Sequence, residues 1–199
     1  MQKRLKLGQL QAKPMTRKMP ITLAGLNLER LNVCSPKTLQ SHFITAAVVA
    51  LGSNHQAKKH LLQVREWLAA LGQVQLSKAF KNPDFTATAD LPKPDYTNQC
   101  VHIELTSPMT LKQLQQTFKA FEGKCNRQRP TKSTASITTV TMDIDILLIQ
   151  TVFDKNSLSK DIETDCKRSD WIIMADRYPF KAHDQAGIEE LISYGRLKD

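Results

Sequence analysis

Two carboxylates stand two residues apart in an apolar run, Thr141-Met142-Asp143-Ile144-Asp145-Ile146-Leu147-Leu148-Ile149. The run reads as a β-strand, rich in Ile and Leu. Alternation along a strand sends Asp143 and Asp145 to one face, roughly 7 Å apart at their Cα atoms. Met142, Ile144, Ile146 and Leu148 go to the other face, into the core. Neighbouring carboxylates repel unless a proton or a cation lies between them. A hard divalent ion such as Mg²⁺, shared with phosphate oxygens, is the usual solution. An exposed strand face that carries two acids is the plainer alternative, and the strand alone leaves both open.

Other side chains are spaced for complementary work. Arg127 and Arg129 follow a helical stretch two residues apart, so both can reach one chain of phosphates, whose oxygens match a guanidinium fork; a solvated basic loop is the other reading. Tyr96 and Asn98 alternate onto one strand face. An aromatic ring there can lie against a flat heterocycle, and an amide offers both a donor and an acceptor. A tyrosine at a sheet edge beside a turn asparagine would look the same. His42, His55, His60, His102 and His183 show no metal-ligand spacing.

These residues need elements to hold them. Ile44 to Leu51 is a compact apolar strand, stopped by Gly52-Ser53-Asn54. Leu61, Val64, Leu68 and Leu71 recur at helical spacing over 56–71, with Gly72 as the stop. Val74 to Phe80 is a second strand and 81–95 a proline-containing loop. Tyr96 to Leu105 is a third strand with Val101, Ile103 and Leu105 on its apolar face. A second helix follows Pro108, with Thr110 and Gln113 in capping-box spacing and a Leu111, Leu114, Phe118, Phe121 stripe. The Asp-bearing strand comes next. The order β-α-β-β-α-β predicts an α+β, ferredoxin-like sandwich: two helices on one sheet face, the other face free for ligand. Beyond 150 lies a C-terminal extension, with a strand at Trp171–Ala175 and a short helix near 186–194.

The chain has 199 residues, 41% hydrophobic and 24% charged, with a formal charge of +9. Eight of its Lys and Arg residues, against Glu29 alone, lie in 1–44; residues 45–199 hold 20 basic and 18 acidic residues, a net of +2. The basicity therefore marks an extension, 1–44, read as a disordered tail, and 45–199 as the single domain. A near-neutral domain argues against nucleic acid as its partner. The longest apolar run is too short to span a bilayer, and the four cysteines show no C-x-x-C pair or zinc-ligand spacing and read as incidental reduced thiols. A cytoplasmic monomer is expected.

Four stretches together resemble the 6-hydroxymethyl-7,8-dihydropterin pyrophosphokinase family of folate synthesis. Ala50-Leu51-Gly52-Ser53-Asn54 is similar to its opening strand and turn. Lys93-Pro94-Asp95-Tyr96-Thr97-Asn98 is similar to its pterin-binding segment. Glu122, Arg127 and Arg129 fit its E-x4-R-x-R, and Asp143-Ile144-Asp145-Ile146 its metal strand. The resemblance implies pyrophosphoryl transfer from ATP to the hydroxymethyl oxygen of the pterin, with two Mg²⁺ ions on Asp143 and Asp145. It implies pterin contacts at Tyr96, Asn98 and the loop residues Asn82, Pro83 and Phe85, and a nucleotide contact at Glu122, otherwise an ordinary surface acid at a helix end. Arg127 and Arg129 become catalytic and ATP-binding.

The sequence departs from the family in two places. The loop before the metal strand, 130–141, is about three residues longer than the family's and lacks its Trp and Arg; Lys132 is its one charged side chain. Residues 157–175 match the downstream adenine and phosphate segment poorly. Arg168 stands for its arginine and Trp171 for its pterin-stacking ring, each with a one-residue slip, and no His precedes them. Fewer cations around the triphosphate imply weaker ATP binding and slower transfer. A paralogue that binds pterin or nucleotide without catalysis is the second reading. An RNA-binding module ranks last, because its open sheet face would carry carboxylates rather than stacking aromatics.

Overall fold

The computed structural model describes residues 23–84, 87–90, 92–127, 139–151 and 171–196. Its elements, in chain order, are β1 (Asn32–Cys34), β2 (Phe43–Ser53), α1 (Ala57–Leu71), β3 (Gly72–Asn82), β4 (Tyr96–Thr110), α2 (Leu111–Lys124), β5 (Asp143–Thr151), β6 (Trp171–Met174) and α3 (Ala182–Arg196). The architecture is α+β: one six-stranded mixed sheet, ordered β1-β6-β5-β2-β4-β3, with three helices. From β2 to β5 the elements follow the expected β-α-β-β-α-β order, and each neighbouring pair among those four strands is antiparallel.

The periodic residues do what their spacing predicts. Leu61, Val64 and Leu68 of α1 and Leu111, Leu114 and Phe118 of α2 pack on Ala47, Val49, Leu51, Val101 and Ile103 of one sheet face. Each such side chain contributes about 1.5–3 kcal/mol on leaving water. Trp67 of α1 stacks on Phe121 of α2, ring centroids 4.3 Å apart, which ties the two helices together. The capping box forms: Gln113 N donates to Thr110 Oγ1 at 3.3 Å, and Thr110 N donates to Gln113 Oε1 at 2.8 Å.

The second sheet face is not left free. Helix α3 begins a turn earlier than its periodicity indicated, and it lays Ile188, Leu191 and Ile192 against Ala46, Val48, Cys100, Leu148 and Ile173. Burial on both faces explains why β2 reads as a continuous apolar run rather than an alternating one. Along β5 the alternation breaks once. Ile146 pairs with Val49 and Leu148 with Val48, so one residue is extra. Leu147 and Leu148 both join the α3 side, and Ile149 returns to the α1/α2 side.

Residues 23–44 correct the expected domain boundary. β1 pairs in parallel with β6, and Leu23 and Leu39 are 1% and 4% exposed. Leu111 N donates to His42 O and Lys112 N to Gln40 O, fastening this segment to the start of α2. The segment belongs to the fold. It is anchored by isolated leucines and a three-residue strand, so it has no periodicity to set against its charge. The rest of the expected tail, 1–22, lies outside the described residues.

Candidate active site

Asp143 and Asp145 do share the α3-side face of β5, at the rim of a cleft of about 270 Å³. Three contacts fix the start of their strand. Asn54 Oδ1 accepts from Val140 N at 2.7 Å, Asn54 N donates to Val140 O at 3.0 Å, and Ser53 Oγ donates to the same carbonyl at 3.2 Å. The Gly52-Ser53-Asn54 turn thus clamps the chain just before the acids. From the opposite side, Glu122 Oε1 accepts from Ile144 N, between the two acids, at 2.9 Å. Glu122 is 5% exposed, so it is no surface acid.

Across the sheet the register makes a row. Asp143 pairs with Gly52, Gly52 with Asn98, and Asn98 with Phe80. With strands about 4.8 Å apart, Asp143 and Asn98 stand roughly 10 Å from each other across the glycine. A Cβ at Gly52 would meet Asn98 Oδ1 at 3.1 Å, so the glycine keeps the floor low. Ala50, opposite Asp145, does the same one step along. Tyr96 and Asn98 share the cleft face as expected, and Pro83 lines it too. Asn82 is not in a loop but ends β3, paired with Tyr96, and its Nδ2 is buried with no hydrogen-bond partner. A buried amide donor without an acceptor is costly unless a ligand supplies one.

The electrostatics centre on Asp145. Burial, and then repulsion from Asp143, push its carboxyl up to about 6, although Arg177 and Lys181 pull it down. Desolvation therefore outweighs the ion pair between the Arg177 guanidinium and Asp145 Oδ1. Arg127 Nε lies 3.9 Å from Asp143 Oδ1. Each acid so faces one arginine. No group of three or more His, Cys, Asp or Glu side chains gathers to hold a metal among the described residues. Asp145, whose charge is disfavoured by burial and by the neighbouring Asp143, forms with that neighbour a pair of hard carboxylates that suits a hard divalent cation taking its remaining ligands from phosphate and water.

On the far side of Asp145 a second cavity, of about 290 Å³, is lined by Glu122, Lys119, Ile146, Met174 and Arg177 among others. The structure thus joins Asp143, Asp145, Glu122, Tyr96, Asn98, Asn82 and Pro83 at two adjoining cavities, with Arg127 beside Asp143. Trp171 is not with them. It is buried on β6 beside His102, ring centroids 5.7 Å apart, inside the α3-side core. A four-residue strand buried throughout leaves its aromatic ring nowhere to go but inward. Phe85, Arg129, Lys132 and Arg168 lie outside the described residues.

Sequence reasoning missed Arg177, Lys181, His183 and Asp184, all of which border the cleft or the cavity beside it. Their signal was the charged cluster Asp176-Arg177-Tyr178-Pro179-Phe180-Lys181-Ala182-His183-Asp184 between an apolar strand and a helix. The family model of 7,8-dihydro-6-hydroxymethylpterin-pyrophosphokinase (HPPK) matches residues 48–176. The chain belongs to the HPPK family. No curated protein matches it. The HPPK match runs from β2 through the Asp strand and β6 and stops just short of Arg177. Lys181, His183 and Asp184, which line the cleft, lie beyond the matched residues. No helix among the described residues is long and apolar enough to cross a membrane.

Proposed function

We propose that this chain transfers pyrophosphate from ATP to the hydroxymethyl oxygen of 6-hydroxymethyl-7,8-dihydropterin, in a Mg²⁺-dependent reaction of folate synthesis. The observation that carries this reading is the row Asp143–Gly52–Asn98, with the orphaned Asn82 amide beside it. It sets a cation-seeking pair of acids about 10 Å from polar groups suited to a heterocycle edge. The family match supports the same chemistry.

Asn98 and Asn82 would bind the donor and acceptor edge of the pterin, with Tyr96 against its ring. Asp143 and Asp145 would hold Mg²⁺, two ions by the family's habit, which neutralise charge on the transferring phosphoryl oxygens. ATP would occupy the second cavity, with Glu122 fixing the strand beneath it. Arg127 and Arg177 would turn towards the phosphates, where a guanidinium fork holds two oxygens at once. Arg129, Lys132 and Arg168 are proposed for the same phosphates on sequence grounds alone. The enzyme would act as a cytoplasmic monomer.

One observation favours a second reading, a pterin-binding paralogue without catalysis: Arg177 already meets the charge of Asp145. Mass spectrometry of a reaction with ATP, Mg²⁺ and the pterin separates the two. A pterin that gains two phosphoryl groups, with AMP as co-product, supports transfer. Pterin binding without product supports the paralogue, and a gain of one phosphoryl group with ADP contradicts both.

A further inference from the structure

The cleft face of β3 depends on one extra residue. β3 and β4 pair regularly from Gly72–Leu105 to Leu76–Val101, and again from Ala79–Gln99 to Asn82–Tyr96. Between the two runs β3 advances three residues while β4 advances two. In an unbroken ladder Lys81 would oppose Tyr96 and Ala79 would oppose Asn98. The bulge puts Asn82 and Phe80 there instead, because a one-residue slip exchanges the faces of a strand.

The backbone groups freed at the bulge are taken up by side chains from three elements. Gln99 Nε2 donates to Ser77 O at 2.6 Å, and Arg65 of α1 donates through Nε to Gln99 Oε1 at 2.8 Å. Ser77 Oγ accepts from Cys100 N at 3.0 Å and donates to Lys78 O at 2.8 Å. Lys78 N donates to Glu190 Oε2 of α3 at 2.9 Å, and Tyr194 OH holds the other oxygen of Glu190 at 2.9 Å. Helix α3 sits tight on the spot. A Cβ on Gly187 would come within 2.6 Å of Cys100 Sγ and 3.3 Å of Ser77 Oγ. Ser77 and Gln99 are 4% and 5% exposed, so the Gln99–Ser77 and Cys100–Ser77 bonds are shielded from water, whereas the Glu190 contacts lie at the surface.

We propose that Ser77, Gln99, Arg65 and Glu190 form a register latch, a set of positioning residues that turns Asn82 into the cleft and so sets affinity for the pterin. The part concerning affinity rests on the pterin reading above; the part concerning register does not. α1 and α3, on opposite faces of the sheet, both hold the latch, so it also couples the helix outside the family match to the pterin end of the site.

The test reads register and kinetics on the full chain. In Gln99→Leu, backbone proton NOEs across Asn82–Tyr96 and Phe80–Asn98 should be lost while those across Val74–Ile103 persist. KM for the pterin should rise about tenfold, the usual scale for losing a buried polar partner, with kcat and KM for ATP within about twofold of the parent. Glu190→Ala should act in the same direction, and Glu190→Gln, which keeps an oxygen for the Lys78 N–H, should remain near the parent. If Gln99→Leu does not fold, the two Glu190 variants decide. Variants that keep both NOEs and the parental pterin KM would overturn the latch, as would equal rises in both KM values. Should the parent show these NOEs, the variants lose them, and the parent turn over no pterin, the latch stands and the pterin reading falls.

Discussion

The guanidinium of Arg177 closes on the carboxylate of Asp145 from the segment between β6 and α3. Arg177 is 40% exposed at its side chain and Asp145 21%, so the cation can move outward while the acid stays in place. With Asp145 holding a divalent cation, Arg177 would be free to contact the nucleotide phosphates. Arg177→Ala should therefore raise KM for ATP about tenfold, the scale of one lost charge-assisted contact, and leave the melting temperature unchanged. Steady-state kinetics with ATP varied check it; an unaltered KM for ATP would leave Arg177 a surface partner only.

Asn82 and Asn98 should act on the pterin alone. Asn98→Ala and Asn82→Ala are each expected to weaken pterin binding by about 1–3 kcal/mol, the cost of leaving buried polar groups unpaired. Titration calorimetry with the pterin and with a non-hydrolysable ATP analogue gives both affinities. Loss of both ligands in equal measure would count against a pterin-specific role.

The N-terminal segment should matter to stability. Leu39 is buried among the residues of the α1/α2-side core, and its truncation to Ala should cost about 2–5 kcal/mol. Chemical denaturation measures this, and a change below 1 kcal/mol, the ordinary size for a surface position, would return the segment to a solvated tail.

His102 gives the protein a pH dependence of known sign. It is 3% exposed, its Nε2 has no hydrogen-bond partner, and burial lowers its pKa to about 4 from the usual 6.5. The unfolded chain thus takes up the proton first as pH falls. Stability from this group is complete above about pH 6.5 and declines between there and about pH 4, by about 3 kcal/mol in all. In His102→Leu that part of the decline should vanish. Urea titrations of both proteins at pH 4.5 and 7.5 compare the slopes, and equal slopes would show that His102 is not the group responsible.

What could be read in the sequence was what repeats locally. The stripes of α1 and α2, the Thr110–Gln113 cap, and the alternation that turned Asp143, Asp145, Tyr96 and Asn98 onto one face are all set by neighbours a few residues away. What could not be read depends on packing between distant elements. Arg177 reaches Asp145 only because β6 lies beside β5, and Trp171 turns inward for the same reason. Asn82 faces the cleft only through a bulge in β3 that no local pattern announces. Leu23 and Leu39 are buried one at a time, below the reach of any periodicity.

In the proposed reaction, Asp143 and Asp145 make this cleft a Mg²⁺-dependent transfer site. The most direct test is AMP release with ATP and 6-hydroxymethyl-7,8-dihydropterin, followed as Mg²⁺ is titrated, in the parent and in Asp143→Asn and Asp145→Asn. The parent should show saturable dependence on Mg²⁺. Each variant should lose at least about a hundredfold in rate, as when a group that stabilises transition-state charge is removed, with its melting temperature intact. A folded variant releasing AMP at near the parental rate would contradict the account.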